Sequence, residues 1–261
     1  MLNNAMMSAG LCGWRRVVAL MFLGLATVPW IAGAWADQSG VRSTNAVSSG
    51  GSDQRSESRR EQRDDREGLV RVARLVYSAR PGDICFASGF LGVVSRATDI
   101  AIDRRFHDLS LDSPDISEFP FVIMTGSGRF TLNEKQEESF RRHLETGGFI
   151  LASAACSDHG WAVSFEAMLK RVFPEGELQP IAPGHELLNI LHRVDRIELR
   201  RTTQTPAIYG MTIKGRLALV YSPMGLNDSS NAGPGCCCCG GNEIRNADLI
   251  NANILAWALT R

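Results

Sequence analysis

Cysteine and histidine residues are the side chains of this sequence whose types and positions are best suited to chemistry. Cys156 and His159 lie in a turn that follows the apolar run 149–152 and precedes a helical pattern. A helix N-terminus lowers the pKa of a cysteine thiol, and its backbone amides can stabilise an oxyanion. Cys156 is therefore a candidate nucleophile for a thiol-dependent hydrolase, with His159 or His185 as the general base. The alternative is that Cys156 packs as a small buried core residue.

A run of four consecutive cysteines is the least ordinary stretch of the chain, and it lies between glycines just before the last predicted helix. Sulfur ligands suit soft ions such as Cu(I) and Zn(II), so the run predicts a metal or redox module. Consecutive cysteines cannot easily direct four sulfurs at one tetrahedral ion, because metal sites normally use two-residue spacers. Disulfides from the run to Cys85 or Cys156 are the competing interpretation, and free thiols are the third. The run consists of Cys236, Cys237, Cys238 and Cys239.

Cys156 and His159 also have the Cys-x-x-His spacing that forms half of a typical zinc site. The adjacent sequence offers no second ligand pair, so a metal here requires the four-cysteine run to approach Cys156 in the fold. No particular cofactor follows from these patterns.

Small polar residues follow three of the apolar runs that are expected to be strands. In parallel α/β sheets, ligands bind beyond the carboxyl ends of the strands. These turns are therefore candidate ligand-binding segments, although a Gly-Ser turn such as 126–128 is commonly no more than a turn. The predicted ligand-binding residues are Gly126, Ser127, Ser153, Ser157, Asp158 and Ser222.

Strand and helix patterns alternate along the chain and must position these residues. The expected strands are wholly or largely apolar, as in a sheet that is covered on both faces. They occupy residues 69–77, 121–124, 149–152 and 217–221. The expected helices run over 95–106 with Ser95 as N-cap, over 131–145 with a Thr131 and Glu134 capping box, over 165–173, and over 242–259. This alternation predicts a three-layer, doubly wound α/β fold with a mostly parallel, flavodoxin-like sheet.

The first 36 residues of the chain predict export. Arg15 and Arg16 precede the apolar run 17–31, and Ala34 and Ala36 offer the small residues of a cleavage site, so residues 1–36 are typical of a signal peptide. The apolar run is short for a bilayer span, and its basic flank leaves the choice between general and twin-arginine export open. Residues 37–68 are rich in Ser, Gly and charge and predict a disordered linker. Residues 69–261 then form one domain, which we expect to be periplasmic or extracellular.

Charge balance restricts the classes of partner. The whole chain contains 28 basic and 28 acidic residues. The predicted signal peptide removes two arginines and no acid, which leaves a nearly neutral mature chain. This balance gives no electrostatic reason to expect nucleic acid or an anionic membrane as partner. No further apolar run is long enough to span a membrane after cleavage.

Six segments, taken in order, carry a family resemblance. They are 119–126, 144–151, 171–174, 183–187, 215–223 and the four-cysteine run with the Gly-Gly-Asn-Glu-Ile that follows it. From about residue 70 to 259 the chain resembles an uncharacterised bacterial family, the domain of unknown function DUF4159. The resemblance implies a class I glutamine amidotransferase-like fold, related to flavodoxin, and no established activity.

Two departures bear on what that resemblance implies. Members of the family often carry an acidic pair after the strand that ends here at Ala152, whereas this chain has Ser153 and then Asp158 in that region. True amidotransferases pair the nucleophile with a His-x-Glu motif, but His185 is followed directly by Glu186. A glutaminase activity is therefore not expected.

The leading hypothesis is a non-catalytic α/β domain that binds a ligand or a protein partner in the cell envelope. A complete fold signature without a complete catalytic set motivates it, and envelope proteins are the partners that export would suggest. The alternatives are a thiol-dependent hydrolase that uses Cys156 and a soft-metal or redox module on the four-cysteine run.

Overall fold

A seven-stranded sheet forms the centre of the domain. The computed structural model describes residues 68–78, 85–200, 207–229, 231–232 and 243–261. The strands are β1 Val70–Val76, β2 Ile102–Ser110, β3 Phe121–Gly126, β4 Phe149–Ala154, β5 Gln179–Pro180, β6 Tyr209–Ile213 and β7 Arg216–Ser222. The helices of the described residues are α1 Gly89–Ala97, α2 Glu134–Glu145, α3 His159–Val172 and α4 Ala247–Thr260.

The order of the strands across the sheet is β2-β1-β3-β4-β7-β6-β5. The first five pair in parallel, while β6 is antiparallel to β7 and β5 is antiparallel to β6. The parallel part follows the flavodoxin-like order, in which the chain reverses its direction of travel across the sheet between β1 and β3. The prediction of a three-layer, mostly parallel α/β fold is confirmed.

Each face of the sheet packs against its own pair of helices. Alternate residues of β3 point to opposite faces, so Phe121 and Ile123 enter one core while Val122 and Met124 enter the other. The first core is completed by α1 and α4, and the second by α2 and α3. Both faces of the central strands are therefore apolar, which explains why their sequences show continuous apolar runs rather than alternation.

The helix expected over 95–106 is wrong. The chain instead forms α1 at Gly89–Ala97 and then turns directly into β2 at Ile102–Ser110. Strand β2 lies at the edge of the sheet and exposes charged side chains such as Arg104 and Arg105. An edge strand needs fewer apolar residues than a central one, so its sequence lacked the pattern by which the other strands were identified.

Two helix starts also differ from the predictions. Helix α2 is capped by Asn133, whose side chain accepts from the Gln136 backbone N–H, and the Gln136 side chain accepts in return from the Asn133 backbone N–H. The capping box is thus two residues later than the expected pair of Thr131 and Glu134. Helix α4 begins at Ala247, five residues after the predicted start at residue 242.

The two edges of the described sheet have different forms. Strand β2 has Asp103, Arg104, Arg105 and Asp108 along one edge, and Arg74 of β1 forms a two-bond ion pair with Asp108. Strand β5 has only two residues, both exposed, and the second is Pro180. Among the described residues, no helix has the length and apolarity needed to cross a membrane.

His143 is a buried histidine in α2, and only 4% of it is exposed. Its ring lies against Gly148, where an added Cβ would come within 2.2 Å of the ring Nε2. That nitrogen is buried and has no hydrogen-bond partner. Burial lowers the pKa of His143, a backbone hydrogen bond at Phe149 raises it, and the nearby Arg216 charge lowers it, so that the pKa falls from 6.5 to about 4.

The buried histidine makes the domain sensitive to acid. The native state holds His143 neutral, so its contribution to stability is complete above about pH 6.5 and is lost as the pH falls towards 4. The shift corresponds to about 3 kcal/mol across that interval. Urea unfolding at pH 7 and pH 4.5 should show a smaller difference in His143→Gln than in the wild type. The exposed His185→Gln variant should keep the wild-type difference, and an unchanged profile in His143→Gln would contradict the assignment.

Candidate functional site

Buried polar side chains meet at the carboxyl ends of β3, β4 and β7. The amide oxygen Oδ1 of Asn227 accepts hydrogen bonds from Ser153 Oγ at 2.7 Å and from Thr125 Oγ1 at 3.4 Å. All three residues are fully buried. Ser153 Oγ also accepts from the Leu226 backbone N–H at 2.8 Å. The loop after β7 is therefore fixed to the ends of the two neighbouring strands.

The same loop is bound on its other side by the segment that precedes α1. The Ala87 backbone N–H donates to the Asn227 carbonyl oxygen at 2.9 Å. The Asn251 side chain of α4 donates to the Leu226 carbonyl oxygen at 2.7 Å. These bonds satisfy backbone groups that are buried away from water, where an unpaired group would be costly.

The turn after β4 contacts the loop after β7 at further points. Ser157 Oγ donates to the Met224 carbonyl oxygen at 2.7 Å. The Cys156 backbone N–H donates to Glu243 Oε1 at 3.2 Å, and Ser229 Oγ donates to the other oxygen of the same carboxylate. Glu243 is only 2% exposed. A buried carboxylate needs such donors, since burial of an unpaired charge is strongly unfavourable.

Backbone strain is concentrated at this site. Cys156, Ser157 and Asp228 have φ angles of 54°, 55° and 52°, in the left-handed region that side chains other than glycine rarely adopt. All three residues lie in the two turns that contact each other. Strained backbone of this kind is typical of functional sites and persists only where surrounding contacts hold it.

Gly225 allows the two turns to approach. Its φ is +86°, and a Cβ added there would lie 2.9 Å from the Ala154 carbonyl oxygen and 3.1 Å from Glu243 Cγ. Any side chain at this position would separate the β7 loop from the end of β4. Glycine is required here both for its conformation and for the close approach of the backbones.

Asp228 is an acidic group with altered titration at the rim of the network. Burial raises its pKa, and the negative charges of Asp248 and Glu243 raise it further. The Asn231 side chain donates to both of its oxygens, at 3.0 and 2.8 Å, and this favours the ionised form. A carboxyl group with a raised pKa in a strained loop is a candidate functional group.

Cys85 and Cys156 are both disulfide-bonded. A nucleophilic cysteine attacks as a thiolate, and a sulfur that is part of a disulfide bond cannot form a thiolate. Cys156 would therefore need reduction before it could attack a substrate. The four-cysteine run lies outside the described residues, so its prediction as a metal, redox or disulfide segment stays a prediction.

The two candidate bases lie in different surroundings. His159 is exposed at the first position of α3. His185 is also exposed, and its ring packs against Trp257 in the last turn of α4. Glu243, which contacts Cys156, precedes the first residue of that helix. Since α4 has 14 residues and is about 20 Å long, most of a helix separates His185 from Cys156.

The other predicted residues have structural contacts. Gly126 lies beneath the hydrogen bond from Trp161 Nε1 to the Tyr77 hydroxyl, while Ser127 is exposed. Asp158 caps α3 by accepting from the Trp161 backbone N–H at 2.7 Å. Ser222 Oγ donates to the Ala207 carbonyl oxygen and accepts from the Met224 N–H. The predicted neighbourhood of Ser153, Ser157 and Ser222 is thus present, and its hydroxyls are engaged in binding loops together.

Residues that the sequence did not single out form the centre of the site. Asn227 and Asp228 belong to a polar stretch after β7, which was expected to contain ligand contacts but in which only Ser222 was named. Glu243 lies in the segment that carried the family resemblance, without a predicted role. Within the part of the chain that the structure describes, no group of three or more His, Cys, Asp or Glu side chains is arranged to hold a metal ion.

The fold and this site define a class of protein: a three-layer α/β domain whose polar loops are bound to one another at the carboxyl edge of the sheet. The chain belongs to the family named Domain of unknown function (DUF4159), which matches residues 71–259. The family resemblance inferred from the sequence is confirmed, whereas its amidotransferase-like fold stays a prediction. No curated protein matches the chain.

The close approach of the backbones at Gly225 can be tested by comparing its substitution with that of Gly184, a second glycine whose φ angle is positive. Gly225→Ala should lower the free energy of unfolding by about 2–4 kcal/mol, because the added methyl collides with backbone as well as straining φ. Gly184 also has a positive φ, at +94°, but no atom lies within 4 Å of an added Cβ. Gly184→Ala should therefore cost only about 1 kcal/mol. Equal losses in chemical denaturation would show that the loop does not approach β4 this closely.

Proposed function

We propose that this chain is an exported, disulfide-braced domain that binds a ligand or partner in the cell envelope and catalyses no reaction. The observation that carries the proposal is the state of Cys156. The residue that occupies the turn best suited to a nucleophile is disulfide-bonded, and its backbone N–H is bound to the buried Glu243 carboxylate. The disulfide and the hydrogen bonds of that turn hold the adjacent loops in place.

The hydrogen bonds around the turn support the same conclusion. Covalent catalysis needs a nucleophile within hydrogen-bond reach of a base, at roughly 2.6–3.2 Å. Here the hydroxyls of Ser153 and Ser157 are held by Asn227 and by the Met224 carbonyl. Interactions that hold loops in fixed positions favour binding, because a preorganised surface loses less entropy when a ligand arrives.

Two features support export. Disulfide bonds persist in oxidising compartments and are rare in the cytosol. Two cysteines of this domain are disulfide-bonded, and residues 1–36 have the composition of a signal peptide. Residues 1–67 lie outside the described part of the chain, so the signal peptide and the linker rest on the sequence.

The disulfide brace predicts the reactivity of the cysteines. In protein purified without reductant, an alkylating reagent should leave Cys85 and Cys156 unmodified even after denaturation, and should label both after reduction. Peptide mass spectrometry distinguishes these states. Cys156→Ala should lower the free energy of unfolding by about 2–4 kcal/mol, as loss of a native disulfide does. Rapid labelling of Cys156 in the native, unreduced protein would favour the thiol hydrolase instead.

Export predicts a defined mature N-terminus. When the whole gene product is expressed in a bacterium with an envelope, the protein recovered outside the cytosol should begin at Asp37. Its mass should correspond to loss of residues 1–36. Ala36→Lys should retain the leader, because signal cleavage needs a small residue at that point. A protein that stays in the cytosol with its leader intact would contradict the proposal.

A further inference from the structure

A polar groove lies at the carboxyl ends of β1 and β2, apart from the bonded loops of β4 and β7. It has a volume of about 430 Å³, within the range of small-molecule sites. We call it the switch-point groove. Strand β1 lies at the point where the strand order reverses, because the next strand, β2, pairs on one side of β1 and the following strand, β3, pairs on the other. The walls of the groove are formed by Val76, Tyr77, Ser78, Ser110, Thr131, Asn133 and Gln136.

The groove borders the position that this topology favours for ligands, because β1 is one of the two strands at the reversal. Crossovers that leave on opposite sides of a sheet open a crevice beyond the carboxyl ends of the strands at the reversal. Here the reversal lies between β1 and β3. Gln136 of α2 donates to the Tyr77 carbonyl oxygen at 3.3 Å, and this bond joins the first turn of α2 to the end of β1.

The charges around the groove argue against an anion. All seven wall residues are uncharged. The N-terminal donors of α2 are partly consumed by its capping box, in which Asn133 Oδ1 accepts from the Gln136 N–H at 2.9 Å. Glu134 and Glu137 add negative charge to the same turn. A helix N-terminus in this state does not favour a phosphate or a carboxylate.

The groove nevertheless offers both donors and acceptors. Asn133 uses its Oδ1 as the cap, so its amide Nδ2 is available to donate, and within the described residues it has no hydrogen-bond partner. The exposed Thr131 hydroxyl is likewise without a partner among the described residues. Ser110 Oγ donates to Asp112, which leaves its oxygen able to accept.

Tyr77, which borders the groove, is held in a fixed position. The Tyr77 hydroxyl donates to the Thr125 carbonyl oxygen at 3.0 Å and accepts from Trp161 Nε1 at 2.6 Å. Its ring also packs edge-on against Phe130, with the centroids 5.0 Å apart. A fixed side chain with apolar carbon atoms beside neutral hydrogen-bonding groups provides both an apolar contact and polar specificity.

We propose that the switch-point groove binds a neutral, polyhydroxylated ligand, and that an uncharged oligosaccharide is the chemical class it takes. The inference rests on the proposed function of the domain as a binding module. Each sugar hydroxyl both donates and accepts, which matches the mixture of hydroxyl and amide groups. Val76 and Tyr77, which also line the groove, supply the apolar carbon atoms that the C–H groups of a sugar ring can contact.

The test uses ¹⁵N-labelled purified protein titrated with three neutral disaccharides: maltose, cellobiose and N,N′-diacetylchitobiose. At least one should produce saturable shifts in the amide resonances of the groove residues. Thr131→Val removes only the hydroxyl, and Asn133→Asp keeps the cap while replacing the amide donor. Each variant should weaken the apparent affinity at least fivefold. Ser139→Ala, on the same helix but outside the groove, should leave the affinity unchanged.

Three results would overturn the inference. They are no saturable shift with any of the disaccharides, binding that neither groove variant weakens, and displacement of the sugar by inorganic phosphate at the same amides. If the shifted amides lie outside the groove, the groove is excluded as the binding site, while the proposal that the domain binds a ligand still stands. The failure of the proposed function is detected separately, by a reactive Cys156 thiol in the native protein.

Discussion

The amide group of Asn227 is the constraint on which the carboxyl edge of the domain depends. Its oxygen accepts from hydroxyls at the ends of β3 and β4, while its backbone oxygen accepts from the segment before α1. One residue thus joins four parts of the chain that are far apart in sequence. In a fully buried position each of these bonds is costly to lose, because no water can replace the missing partner. The hydrogen bonds of Asn227 therefore determine the geometry of the loop after β7.

The fold was largely predictable because its central strands are buried on both faces. Burial on both faces produces continuous apolar runs, and those runs identified β3, β4 and β7, while rough alternation of β-branched residues identified β1. Strands β2, β5 and β6 were missed because they show neither pattern, and in β6 Gly210 and Thr212 interrupt the apolar residues. Strand β2 is a charged edge strand that resembles a helix in composition, and β5 has only two residues. Their positions are fixed by tertiary pairing, which leaves little trace in local sequence.

The site was predictable as a neighbourhood but not as a set of contacts. Parallel strands bring their carboxyl ends together, and so the sequence could place Ser153 near Ser222. Nothing local distinguishes a buried asparagine from an exposed one, and Asn227 was therefore not identified. The disulfide state of Cys156 also had to come from the structure, since the six cysteines from residue 85 onward allow many pairings. The sequence alone left the thiolate and the disulfide as rivals.

The edges of the sheet limit how this protein can meet other chains. A long, flat, uncharged edge would template β-augmentation, in which a foreign strand extends the sheet. Strand β2 instead presents carboxylates and guanidinium groups of both signs, and β5 ends in a proline that lacks a backbone donor. Two copies of the domain would therefore gain little from pairing edge to edge, because neither edge of the described sheet offers a long, uncharged row of backbone donors and acceptors.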